Sequence, residues 1–449
     1  MKYLSKSVSI IVILLLAFSS VYAQSNPLTL KECIQIALDN SSKIATAKRS
    51  LDTAQLEVKD ARAGYLPGLG ISAGYNINDT YDKIEWTEKH YDARLSLTET
   101  FYDNGQTSAK IEQAKARLTS AQLDFQKIQD DLVLEVIKNY YTLLKAQGML
   151  KVKEEGLKQA QTHLNLAKAR YDAGSVPKSD ILKAEVEVSG AELDSIEAEN
   201  TLSLARADLN NCLGIDLNTP ILIVDIEEPL MISGDTKKKA ASSNPEPRTP
   251  NPEIDMTLDE CLSYALKNRP EIKKAEINLK INEINLKLAQ KEVWPSIALE
   301  GSYNTDIDQL INKYDWDEST GWEIGIKASL PIFDAGKAKR GVTKAKLNLA
   351  NTKTNADQLK KEIALEVKKA YLTAKSQKKV IETTEKQLSQ AKESFESTQG
   401  RYSSGVAPIY EVTDAQASLN NARTNYVRAI YDYQIAIFTL KKVIGGEIL

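Results

Sequence analysis

From Gly105 to Tyr171 the chain contains no proline, and after Gly105 glycine occurs only at Gly148 and Gly156. Apolar residues fall at Ile111, Ala114, Leu118, Ala121, Phe125, Ile128 and Leu132. Their alternating steps of three and four make the seam of a coiled coil. Most positions between them are good helix formers or solvated charges. One helix of this length reaches roughly 100 Å at about 1.5 Å per residue. No compact core is that long, so the rest of the chain has to supply long partners.

It does so by repeating itself. Leu28-Thr29-Leu30-Lys31-Glu32-Cys33 returns as Met256-Thr257-Leu258-Asp259-Glu260-Cys261, and Tyr102-Asp103-Asn104-Gly105 returns as Phe333-Asp334-Ala335-Gly336. Arg170-Tyr171, Gly174 and Pro177 return as Arg401-Tyr402, Gly405 and Pro408. The second long stretch keeps the seam at Val342, Ala345, Leu349, Thr352, Ala356, Leu359 and Ile363. The chain therefore divides into a first repeat over 24–232, a Pro/Ser/Lys-rich linker over 233–255 and a second repeat over 256–449. Each repeat reads helix, strand, strand, long helix, helix. The first helix spans Thr29 to Tyr65, and Pro67 ends it. Strands follow from strict alternation: Ile71, Ala73, Tyr75 and Ile77, then Tyr91, Ala93, Leu95 and Leu97. The second repeat gives Ile297, Leu299, Gly301 and Tyr303, then Trp322, Ile324, Ile326 and Ala328. Period two with one apolar face marks half-wet strands long enough to cross a bilayer at a tilt. The turns at Gly174 and Gly405 close the long helices, and Pro177 and Pro408 start the helices that return along them.

Lys2 and Lys6 precede an apolar run from Val8 to Phe18, and small residues end at Ala23. Residues 1–23 read as a secretory signal peptide. No cysteine follows Ala23 closely, so no lipid anchor is expected there. The odd set Cys33, Cys212 and Cys261 is no disulfide framework, and these read as small helix residues. With 58 Lys plus Arg against 61 Asp plus Glu, charge gives no case for nucleic acid. Two histidines and no clustered cysteines leave no metal site, and neither a nucleophilic triad nor a phosphate loop can be assembled. No cofactor and no catalysis are expected.

Two hairpins supply four strands. Four half-wet strands cannot seal a membrane barrel, and open edges are excluded from lipid. Three copies would give twelve strands and a broad lumen, whereas two would give an interior largely filled by side chains. The fold expected is mixed α and β: a trimeric 12-stranded transmembrane barrel continued by an α-helical barrel. The rival is a soluble periplasmic coiled-coil structural or adaptor protein, which has no use for four such strands.

These features in their order, with Tyr65-Leu66-Pro67 and Trp294-Pro295 before the strands, resemble the TolC-like outer-membrane efflux proteins over Leu28 to Gly445. The resemblance implies a homotrimer in outer-membrane lipid, docked to a periplasmic adaptor (a membrane fusion protein) and an inner-membrane transporter. It would export small molecules or, alternatively, serve type I protein secretion. It places Gly174, Pro177, Gly405 and Pro408 at the periplasmic tip that meets the adaptor. Glu411 and Asp414 match its acidic pore constriction, where carboxylates gathered by symmetry attract cations. Asp180 and Tyr402 match its gate. Where relatives can place a gate arginine this chain has Ala407. Tyr65, Tyr91, Tyr102, Trp294, Trp322 and Phe333 lie near strand ends, where an interfacial aromatic girdle belongs.

Overall fold

A computed structural model describes residues 27–78, 88–224, 256–306 and 320–446. The signal peptide, the linker, and Trp86 and Trp316 of the strand-connecting loops lie outside them. The first repeat gives α1 (Leu30–Asn40), α2 (Ser42–Ala63), β1 (Gly68–Asn78), β2 (Glu88–Tyr102), α3 (Gln106–Asp172) and α4 (Lys178–Leu213). The second gives α5 (Leu258–Asn268), α6 (Pro270–Lys291), β3 (Ser296–Asp306), β4 (Thr320–Ser329), α7 (Lys337–Ser403) and α8 (Ile409–Val443). Both long helices have 67 residues.

One expectation is corrected. The opening helix of each repeat is broken in two. Ser41 is extended (ψ 121°) and its N–H still bonds the Ala37 carbonyl. In the second repeat Arg269 is extended (ψ 131°) because Pro270 disfavours a helical residue before it. That proline was a readable signal, whereas Ser41 was an ambiguous one: its Oγ caps α2 by accepting from the Ile44 N–H at 3.4 Å, but serine also occurs elsewhere in helices.

The same local chemistry starts both copies. Thr29 and Glu32 form a capping box, with the Thr29 N–H donating to Glu32 at 2.8 Å. Thr257 donates to Glu260 in the same way at 2.7 Å. Those bonds hold both glutamate carboxyls below their usual range. Asp103 accepts from the Thr107 N–H at 2.6 Å, and Asp334 accepts from Ala338 at 2.7 Å. Each caps a long helix after a turn with two residues at positive φ, Asn104-Gly105 and Ala335-Gly336.

The described residues fall into two compact units that cut across the repeats. One holds 45–127 and 267–362, including the sheet. There α3 and α6 run antiparallel, tied by Lys274–Asp124 at 2.6 Å and Lys280–Glu112 at 3.2 Å. The other holds the described residues up to 44 with those of 128–266 and 363–446. Its main core gathers Leu30, Ile34, Val136, Ile137, Tyr140, Leu143, Leu209 and Leu213. Leu28 and Ile223 form a parallel bridge over it, and the Tyr140 hydroxyl donates to the Leu28 carbonyl at 3.4 Å and to that of Val224. The helix α8 lies antiparallel on α3 through Lys145–Asp432 at 2.9 Å and Arg423–Glu155 at 3.4 Å. Glycines permit the approach: a Cβ on Gly148 would stand 2.9 Å from Val427, and one on Gly156 would stand 2.9 Å from Asn420. All three cysteines are unpaired; Cys33 and Cys261 are buried in their helices. Burial pushes the Cys33 thiol up to about 11.

Candidate functional site

The four strands form one antiparallel sheet in the order β1-β2-β3-β4. Register places Ile71 beside Leu95, Leu95 beside Tyr303, and Tyr303 beside Trp322. A second row joins Leu69, Leu97, Gly301 and Ile324. Every apolar position expected from alternation and lying among the paired residues therefore shares one face. Ile71, Trp322, Ile324 and Ile326 on that face are exposed. The opposite face is polar: Ser72, Arg94 and Asn304 form one row, Ser96, Ser302 and Glu323 another. Arg94 donates to Ser302 at 3.3 Å, and Lys327 pairs with Glu300 at 3.1 Å. The sheet is open at β1 and β4 among the described residues.

All six aromatics singled out are exposed. Tyr91, tilted against Tyr75 with ring centres 4.6 Å apart, and Trp322 stand toward the loop end of the strands. Tyr65, Tyr102, Trp294 and Phe333 stand at the helix end. Alternation could also have picked out Tyr75 and Tyr303 for the first level, and Phe101 and Ile332 are exposed at the second. Tyr91 and Tyr102 are separated by about 36 Å along the strand at about 3.3 Å per residue. A tilt of about 45° turns that into roughly 25 Å of height, the thickness of a barrel's apolar band.

At the other site, the two turns are built alike. Gly174 (φ +71°) and Gly405 (φ +79°) sit in the left-handed region. Ser175 N–H bonds the Arg170 carbonyl at 2.8 Å and Val406 N–H bonds that of Arg401 at 2.9 Å. These are Schellman closures, which need glycine for its backbone and not for space, since nothing lies within 4 Å of either added Cβ. Pro177 and Pro408 then start α4 and α8 in extended conformation.

Tyr402 is buried with Phe395, Ala407, Ile409 and Val412. Its hydroxyl is buried without a hydrogen-bond partner. Asp180, expected beside it as a gate partner, sits in the first turn of α4, where Ser179 Oγ donates to it at 3.5 Å. No hydrogen bond joins Asp180 and Tyr402 within the protomer. Ala407 is buried in the same cluster. Glu411 accepts an ion pair from Arg401 at 3.1 Å, while Asp414 is exposed. Both line an open groove of about 640 Å³ with Ser394, Thr398, Tyr410 and Ser418. Sequence reasoning missed both arginines as site residues; their shared Arg-Tyr-x-x-Gly spacing marked only the turn.

A duplicated chain that joins an open four-stranded sheet with one apolar face to 67-residue helices has the build of an outer-membrane channel protein. It belongs to the outer membrane efflux protein family, whose pattern matches residues 33–215 and 261–446. It is 22% identical to the outer membrane protein TolC of Vibrio cholerae over 95% of this chain and 92% of that one. The fold matches crystallised CusC with a TM-score of 0.77, at 19% identity over 95% of this chain and 96% of that one. It matches the CmeC outer membrane channel of Campylobacter jejuni with a TM-score of 0.75, at 18% identity over 93% and 85%. No described helix is long and apolar enough to cross a membrane.

Proposed function

We propose that the protein is the outer-membrane exit duct of a tripartite efflux pump, assembled from three copies. The observation that carries this is the sheet: its exposed apolar face and polar opposite face suit a barrel wall between lipid and water. Three sheets joined edge to edge, β4 of one to β1 of the next, leave no unpaired strand in lipid. The two aromatic levels would lie at the two membrane interfaces. Small-molecule export is favoured over protein secretion by the family's description as efflux proteins. The duct performs no chemistry; an inner-membrane transporter supplies energy and a periplasmic adaptor bridges it to the turns at Gly174 and Gly405.

Within the duct, Glu411 and Asp414 from each copy would form an acidic ring. Arg401 already partners Glu411, so Asp414 carries the freer charge. Cell fractionation and planar bilayers test the reading. The protein should require detergent for release and then carry ionic current. Recovery in the soluble periplasm, or particles without conductance, would favour the coiled-coil adaptor instead. In the duct, replacing Glu411 and Asp414 by Ala should lower cation over anion preference severalfold.

A further inference from the structure

Arg170 and Arg401 occupy the same place in the two repeats, yet only Arg170 reaches across to the other repeat. Its guanidinium Nη2 donates to the Tyr402 carbonyl at 2.6 Å and the Ser403 carbonyl at 2.9 Å. The same group lies over the Tyr402 ring, 4.3 Å from its centre. Those carbonyls end α7, where helix oxygens lack intrahelical partners and the dipole is negative. The Tyr402 carbonyl also accepts from the Gly405 N–H at 3.0 Å, so one cation adds a second donor there, supplies the Ser403 carbonyl and covers a ring face at once.

We propose that Arg170 is the latch of the tip: it ties the end of α3 to the end of α7 inside each protomer and restrains the turns from separating. This inference rests on the duct reading. It assigns closure to a residue of the first repeat, and to the backbone and ring face of Tyr402 and not its hydroxyl. A tip with Ala407 thereby keeps a cationic tie, drawn from a different helix. Arg401 is committed to Glu411 and bears on pore charge, not on closure. Arg170 acts by positioning and touches no cargo.

The test is gating of the reconstituted full-length protein in planar bilayers, with melting of the detergent-solubilised assembly alongside. Arg170→Ala should raise the open fraction about tenfold, the shift expected on losing a charge-assisted tie from a two-state element. Arg170→Lys, which keeps the charge but not the fork, should fall between. Tyr402→Phe should gate as the wild type, because the hydroxyl it removes has no partner. Tyr402→Leu, which removes the ring face but keeps both carbonyls, should open partway, and the assembly's melting should change little in the two Arg170 variants and in Tyr402→Phe. Should Arg170→Ala fail to assemble, Arg170→Gln carries the same expectation. Wild-type gating in Arg170→Ala or Arg170→Gln would overturn the latch, as would opening by Tyr402→Phe equal to that of Tyr402→Leu. Absence of current from the wild type would instead overturn the duct reading.

Discussion

The two long helices are copies of one another with opposite surroundings. In α7 most covered positions follow a single stripe: 342, 345, 349, 352, 356, 359, 363, then 367, 370, 374, 377, 381, 384, 388, 391, 395, 398 and 402, with 338, 341, 364 and 371 covered beside it. The steps are three and four, with one extra four at Ile363 to Val367, a stutter in the heptad. By contrast α3 is covered on several sides. Leu134 is 8% exposed where its counterpart Leu365 is 54%, and Ala116 is 6% exposed where Leu347 is 62%. The return helices differ the other way round: Ile196 of α4 is 59% exposed and its counterpart Val427 of α8 is 3%. Duplication therefore did not give two equal halves. Each repeat places one helix inside and leaves one with an apolar flank, on α4 and on α7. In the proposed assembly sister copies cover those flanks.

The comparison can be broken first at the flanks. Leu365→Asp and Ile196→Asp should each disperse the assembly while leaving the protomer helical, a loss of several kcal/mol at each interface. Leu134→Asp should instead unfold the protomer, and size-exclusion chromatography with circular dichroism separates the outcomes. Next in size is Gly148→Leu, which should cost about 2–3 kcal/mol by forcing α8 away from α3. Its counterpart Lys379 is tolerant, and Lys379→Leu should move a denaturant midpoint little. Tyr140→Phe, which removes a donor to the Leu28 and Val224 carbonyls, should cost about 1–2 kcal/mol. Tyr371→Phe at the matching position of α7 should cost less than about 0.5 kcal/mol.

The smallest effect concerns pH. His163 is buried on α3 with its Nδ1 unpartnered and its ring 6.2 Å from that of Phe395, whereas the second copy has Ser394 there. Burial lowers its pKa from 6.5. A base depressed in the folded state contributes stability that is full above the unfolded value of 6.5. That contribution is lost as pH falls through the folded value. Melting should therefore decline as pH falls below 6.5, and His163→Ser should flatten the slope.

Much of this was legible before any coordinates. The strand faces were, because burial on one side writes a period of two that no other element imitates. So were the long helices, because their seams run on for turn after turn without a breaker, and the turns, because left-handed closure demands Gly174 and Gly405. The break at Ser41 was not, since serine fits either side of a helix end. The division of labour between Arg170 and Arg401 was not either. Their local sequences agree, and what separates them is a partner 232 residues away for one and 10 away for the other. Asp180 and Tyr402 were paired by resemblance, but packing turned the Tyr402 hydroxyl into the core.

The central claim is that α4 and α7, and the free edges β1 and β4, are completed by further copies of the same chain. The mass of the detergent-solubilised particle, measured with the detergent contribution subtracted, tests it most directly. Three protein copies per particle is the result expected. A stable particle holding a single copy would contradict the account.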